Sequence, residues 1–310
     1  MTPIAVQLQT SETLKSPVTK KVPKSTVDLS GEDHSDGRTI VLIVPPQRGM
    51  FDFISPDNPD PALRSIALPT PTDQPLGCIS ISTFVRKHSS CNVIIIDLNS
   101  LLVRHQKENP EDDSTLLEVV RNRLDKPDIR SSNPIFFGIS ILFTPCYENS
   151  IIIAEIAKEL YPEALVFSGG FIPTTMHEYI YRKNPGIFDA LCYGEGEIPI
   201  AELVKSKDPF EFVQEHVSWI TATKHKNNFL PMHNIIDDID EIPLYDYQLL
   251  DLEGYKIQPC STLTYKFQRN HSVFHIMTSR GCPHKCNFCA SHAVHGRSMR
   301  FHSLDRVKEE

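Results

Sequence analysis

Five short apolar, β-branched runs separated by helical stretches predict an α/β protein built on a five-stranded parallel sheet. A second observation limits that sheet: from about His216 the alternation stops and an acidic, proline-punctuated segment follows. A third is Ser279–Cys289, "SRGCPHKCNFC", which places three cysteines in one short stretch.

Each element has its own signal. Residues 1–37 are rich in Ser, Thr, Lys and Pro without periodicity and read as a disordered arm. Thr39–Val44 ("TIVLIV") is a strand closed by Pro45-Pro46, Leu76–Lys87 a helix, and Asn92–Asp97 ("NVIIID") the second strand. Thr115–Leu124 suits a helix and Ile135–Leu142 ("IFFGISIL") the third strand. Glu148–Leu160 carries a helical stripe through Ile152, Ile153, Ile156, Ala157 and Leu160. Ala164–Phe167 leads into Ser168-Gly169-Gly170, Thr174–Arg182 suits a helix, and Ala190–Tyr193 leads into "GEGE". These elements assign 38–215 to the α/β domain. Residues 216–270 form a connector that opens on a hairpin-like "VSWITATKHKNNFLPM". Residues 271–310 form a third unit: a strand at Val273–Thr278, the cysteine loop, and a helix "LDRVKEE" capped by Ser303. Right-handed βαβ crossovers put helices on both sheet faces and ligands at the carboxyl ends of the strands. Those ends carry Pro45-Pro46, Ser140-Ile141-Leu142, Gly169-Gly170 and Gly194-Glu195-Gly196-Glu197.

The bulk composition excludes several function classes. With 40% hydrophobic and 23% charged residues among 310, the chain reads as globular. A net charge of -8 argues against a protein that tracks nucleic-acid phosphates. No apolar run approaches the ~20 residues of a membrane span, and the N-terminus lacks the apolar core of a secretory signal. Five of the eight cysteines (Cys78, Cys91, Cys146, Cys192 and Cys260) are dispersed, so a reducing, cytoplasmic compartment is expected. The first turn, "PPQRGM", lacks the Gly-x-Gly-x-x-Gly of a nicotinamide site, and Asp97 reads as a turn or cap residue rather than a ribose ligand.

Cys282, Cys286 and Cys289 follow a Cys-x3-Cys-x2-Cys spacing that wraps a loop around one compact object. Structural zinc needs four ligands, so zinc would require His284, His292 or His295 to join the three thiols. Three thiolates alone suit three corners of a cubane iron–sulfur cluster, with the fourth iron open to an exogenous chelator.

The loop resembles the radical SAM family, whose motif Cys-x3-Cys-x-aromatic-Cys is matched by Cys282, Cys286, Phe288 and Cys289. The resemblance implies a [4Fe–4S] cluster on the three cysteines, S-adenosylmethionine on the open iron, and Phe288 against its adenine. It further implies reductive cleavage of the sulfonium to a 5′-deoxyadenosyl radical, fed by an external electron donor of flavodoxin or ferredoxin type. In front of that loop, the chain is similar to the cobalamin-dependent radical SAM enzymes, over about residues 38–310. Ser140-Ile141-Leu142 matches their Ser-x-Leu after the third strand and Gly169-Gly170 their Gly-Gly after the fourth. The segments "SGGFIPT", "YGEGE" and "DEIPLYDYQLLDLEGY" resemble theirs as well.

By that resemblance the fold is a Rossmann-like, flavodoxin-like sheet. A linker follows, then the first βα unit of an incomplete, TIM-like radical SAM barrel. Ser140, Leu142, Gly169, Gly170, Thr174, Gly194, Glu195, Gly196 and Glu197 would meet cobalamin. Glycines let a backbone approach a ring, and the Ser140 and Thr174 hydroxyls can bond a polar tail. The plainer alternatives are a tight turn for Gly169-Gly170 and a helix start for "GEGE". "VPPQRG" has no histidine where many cobalamin carriers place a cobalt ligand, so no cobalt–histidine bond is expected. The commonest reaction the resemblance implies is methyl transfer to an unactivated carbon of a small-molecule substrate; other members of the family perform ring rearrangement or cyclisation, so these motifs do not fix the reaction. One βα unit cannot enclose S-adenosylmethionine, so little turnover is expected from this polypeptide alone. A second chain could supply the rest of the barrel. The other readings are a cobalamin-binding module with a non-functional or split cluster loop, and a zinc-stabilised interaction domain.

Overall fold

A computed structural model describes residues 29–47, 73–109, 111–112, 114–257 and 275–310. The elements run β1 (Thr39–Val44), α1 (Leu76–His88), β2 (Asn92–Asp97), α2 (Leu98–Glu108), α3 (Leu116–Leu124), α4 (Pro127–Ser131) and β3 (Phe136–Ser140). There follow α5 (Cys146–Leu160), β4 (Leu165–Gly169), α6 (Phe171–Lys183), β5 (Ala190–Cys192), α7 (Glu197–Lys205), α8 (Pro209–Glu215), β6 (Trp219–Ile220) and α9 (Ala222–Lys226). The last are α10 (Leu252–Ile257), β7 (Ser279–Arg280), α11 (Ser291–His295), β8 (Arg300–Phe301) and α12 (Leu304–Glu309).

The main sheet has the order β2-β1-β3-β4-β5-β6. Pairings from β2 through β5 are parallel. This is the flavodoxin-like order, and the chain reverses direction across the sheet between β1 and β3. Successive residues of β1 serve opposite cores, as a strand's period of two requires. Val41 and Ile43 join one apolar cluster, while Ile40 and Leu42 join the other. Burial on both faces explains why the strands read as continuous apolar runs rather than alternating ones.

The expectation of five parallel strands is corrected at one edge. Trp219–Ile220 adds a sixth strand, antiparallel to β5. The segment read as a hairpin is therefore one short strand followed by helix α9. Trp219 is fully buried and meets Phe167 edge-on at 5.1 Å, which fixes this run to the sheet instead of to a partner of its own.

Local chemistry sets the helix starts. Thr115 and Glu118 form a reciprocal capping box at α3. Asp97 accepts from the Asn99 N–H at 2.9 Å and caps α2, and it also accepts from the Tyr255 hydroxyl at 2.7 Å. Asp97 thus ties α10 to the end of β2, in the structural role expected of it. Residues 29–37, the end of the proposed arm, lie against the sheet domain: Ser35 is buried, and the His34 N–H donates to the Lys205 carbonyl. The rest of that arm, Cys260, and Val273 and Phe274 of the expected third-unit strand lie outside the described residues. The strand expected there is corrected over its described part: 275–278 form no strand, and Ser279–Arg280 pair with Arg300–Phe301 as a two-stranded antiparallel ribbon, β7 and β8. Ser303 caps α12 by accepting from the Arg306 N–H.

Candidate cofactor edge and cysteine loop

The carboxyl ends of β1, β3, β4 and β5 converge on one edge of the sheet. The carbonyls of Pro45 and Pro46 after β1 accept from the side chains of Asn99 and Asn149. After β3, Ser140 is half-buried beside the Cys78 thiol, whose pKa burial pushes up to about 12. Leu142 and Phe143 follow and are exposed although apolar. Gly169 ends β4 opposite Ser140. Among the described residues, a Cβ on Gly169 would meet only the Cys192 Cβ, at an ordinary 3.5 Å, so one face of this residue is open to them. Gly170 is different: its φ is +104°, and a Cβ would lie 2.8 Å from the Ile141 carbonyl oxygen. The structure therefore requires glycine at 170 for the turn and leaves room at 169. An open glycine between a small serine and two exposed apolar side chains fits a broad, flat ligand lying across the β3 and β4 ends.

The other predicted contacts are engaged by the chain itself. The Thr174 hydroxyl is buried and accepts from the Gly194 N–H at 3.1 Å, tying α6 to the loop after β5. Gly194 has φ +82° and sits under His233, whose ring Nε2 lies 2.7 Å from the Ala293 carbonyl. Gly196 lets the start of α7 pack against Ile81.

Glu195 and Glu197 are both buried. Glu195 accepts from Arg300 at 2.6 and 3.0 Å, lies 2.8 Å from His295 Nδ1, and is 3.4 Å from an Arg280 nitrogen. Glu197 accepts from the Ser80 hydroxyl at 2.6 Å and from Arg280 at 2.7 Å. Burial alone would raise the Glu195 pKa, but hydrogen bonds from His295 and Arg300 and the Arg280 charge bring it down to about 2. Arg280 stays firmly charged: burial opposes its charge, and Glu197 and Glu195 more than restore it. Arg280, Arg300, His295 and Ser80 were not singled out from the sequence. The only signal was two glutamates in an apolar setting with no local partner, because the partners lie 83 and 105 residues away.

Those arginines carry the cysteine loop. Arg280 and Arg300 are the paired residues of β7 and β8. The Cys282 N–H donates to the Gly296 carbonyl, and Arg297 donates to the His284 carbonyl, so the loop is closed at its base. The Cys289 N–H donates to the Cys286 carbonyl in a tight turn. Cys286 is exposed, Cys282 and Cys289 are half-buried, and Phe288 is 92% exposed. Among the described residues, no three His, Cys, Asp or Glu side chains converge as a single-ion site requires. A cubane cluster takes each thiolate on a different iron, so three thiols of one loop suit it without meeting at a point. Immediately after the loop, α11 packs on α6, with His295 edge-on to Phe171 at 6.1 Å. The cysteine loop is thus moored at the edge formed by Gly170 and Gly194. A cavity of about 770 Å³ lies elsewhere, lined by Ile95 and Asp97 of β2, Arg104 of α2 and Tyr255 of α10, and contains none of the cysteine-loop groups.

The fold is a flavodoxin-like α/β sheet, and comparison with known proteins bears on what its carboxyl edge carries. Residues 73–204 match the family described as B12 binding domain. The chain is 28% identical over 239 residues to an uncharacterized methyltransferase of Pyrococcus horikoshii, covering 77% of this chain and 45% of that protein. It is 26% identical over 162 residues to the hopanoid C-3 methylase of Methylococcus capsulatus, covering 51% and 28%. It is also 26% identical over 184 residues to the cobalamin-dependent radical SAM methyltransferase TokK of Streptomyces tokunonensis, covering 55% and 24%. Residues 73–204 thus match a B12 binding domain, and the chain as a whole is similar to proteins named as methyltransferases, one of them a cobalamin-dependent radical SAM methyltransferase. The matched segments span less than half the length of these relatives.

Proposed function

We propose that this chain forms the cofactor-carrying part of a cobalamin-dependent radical SAM enzyme that transfers methyl groups to an unactivated carbon of a small molecule. The observation that carries this reading is the mooring of the cysteine loop, through α11, on the Gly170 and Gly194 turns. Two cofactors that must exchange with one substrate need a shared edge, and this contact supplies one. When bound, the cluster would supply the electron that cleaves S-adenosylmethionine, and cobalamin would carry the methyl group. The chain's own part is positional: Gly169 leaves space, Leu142 and Phe143 shield one face from water, and Cys282, Cys286 and Cys289 hold the cluster. Exposed Phe288 is available to an adenine ring, and an external flavodoxin- or ferredoxin-type donor completes the scheme.

The test is anaerobic reconstitution of the full chain with iron, sulfide and hydroxocobalamin, followed by gel filtration. The expected product retains both a cobalamin spectrum and a broad sulfur-to-iron charge-transfer absorption. Cys289→Ala should lose the second and keep the first. Cobalamin retention with no cluster in the unaltered chain would favour a binding module instead. Loss of cobalamin from the unaltered chain would sink the proposal.

A further inference from the structure

Glu195, Glu197, Arg280, Arg300, His295 and Ser80 form one buried ionic cluster. It joins α1, the loop after β5 and both strands of the ribbon. Taking two carboxylates and two guanidinium groups out of water is costly, and apolar side chains of similar size would stabilise the interior at least as well. What the charged set supplies is registry. A guanidinium bonds in a fixed plane and fork, so it fixes orientation as well as distance. Arg300 donates to both oxygens of Glu195, and Arg280 reaches both glutamates. Because Arg280 and Arg300 are cross-strand partners, the ribbon is gripped from both strands at one level.

The grip is placed where it matters for the loop. Cys282 follows Arg280 by two positions, and its N–H closes on Gly296, next to His295. On the acid side, Glu195 lies in the turn that leaves the carboxyl end of β5 and Glu197 opens α7 directly after it, and Thr174 links that turn to the Gly170 end of α6. We infer that Glu195 and Glu197 are positioning residues that seat the cysteine loop on the cofactor edge and pass occupancy of that edge on to the loop. The seating stands on the contacts alone; the second half rests on the cobalamin reading above.

Hydrogen–deuterium exchange by mass spectrometry on the full chain, with and without hydroxocobalamin, tests both halves. Without ligand, Glu195→Gln and Glu197→Gln should speed exchange in 279–301 by about tenfold or more while the β1 and β3 amides keep their rates. Arg280→Lys, which keeps the charge and loses the fork, should fall between them and the unaltered chain. With ligand, exchange in 279–301 should slow in the unaltered chain and stay fast in Glu195→Gln. Unchanged exchange in both glutamate variants, or a rise shared equally by the sheet, would overturn the seating. Slowing by ligand that persists in Glu195→Gln would overturn the coupling. If hydroxocobalamin does not bind the unaltered chain, the cofactor reading and the coupling fail together, whereas the seating is still decided by the ligand-free arm.

Discussion

Gly169 and Gly170 are neighbours with opposite reasons for being glycine, and that separates fold from function at the scale of one residue. Gly170 sits at φ +104° with the Ile141 carbonyl where a Cβ would go. Gly170→Ala should cost roughly 1–3 kcal/mol in denaturant unfolding, from backbone strain alone. A Cβ on Gly169 has ordinary space toward Cys192 and, among the described residues, nothing else within 4 Å. Gly169→Ala should therefore leave the unfolding midpoint nearly unchanged and instead weaken cobalamin retention, since the added methyl would occupy the open face. A Gly169→Ala protein that holds cobalamin as tightly as the unaltered chain would remove Gly169 from the cofactor edge. The sequence displays both glycines as one Gly-Gly pair; only the backbone angle and the approach of Ile141 tell them apart.

At the scale of elements, the clasp between the β5 turn and the β7–β8 ribbon makes a pH dependence calculable. The Glu195 carboxyl stands at about 2 in the folded chain against an ordinary 4.5. Its contribution is fully present above the ordinary value and is lost as pH falls from there toward 2. The size is roughly 3 kcal/mol, as an order of magnitude. Urea unfolding of the unaltered chain should weaken steeply below about pH 4.5, and Glu195→Gln should show a shallower acid limb from a lower starting stability. Identical acid limbs would mean that Glu195 is not held as a buried anion. How these elements arise was unevenly legible in the sequence. β1 and β2 are found at the residues their apolar runs predict, because strands buried on both faces write themselves as continuous runs. The antiparallel β6 was not, because two residues are too short for any period and Trp219 owes its place to Phe167. The strand expected at Val273–Thr278 is absent from its described part, 275–278, and β7 forms at Ser279–Arg280 instead: neither residue is a strong strand former, and the Arg280 partners lie in another part of the chain. The helix start at Glu197 agrees with the plainer alternative for "GEGE", but its carboxylate accepts from Ser80 and Arg280, which no local pattern encodes.

For the whole molecule, the question is whether the sheet domain and the ribbon respond to a ligand as one body. Among the described residues no helix is long and apolar enough to cross a membrane, and the sheet domain and the ribbon share a buried interior. That interior includes the ionic clasp, the Phe171–His295 contact, and the Glu310 carboxylate accepting from the Tyr245 N–H. A ligand that binds only the folded chain adds about 2.7 kcal/mol when present at a hundred times its dissociation constant. For a domain of this size that corresponds to a rise of roughly 5–10 °C in Tm. Hydroxocobalamin should therefore raise the Tm of the full chain in a concentration-dependent manner. Because the ribbon is gripped by the turn that follows β5, the melt of the ribbon should move with that of the sheet. Tryptophan fluorescence reports the sheet through Trp219, the sole tryptophan, and the rate of thiol alkylation at Cys286 reports the loop. Coincident shifts in both signals are the expected result. A shift seen by Trp219 while Cys286 reacts at an unaltered rate through the transition would show that the loop melts independently, and the shared edge would lose its physical basis.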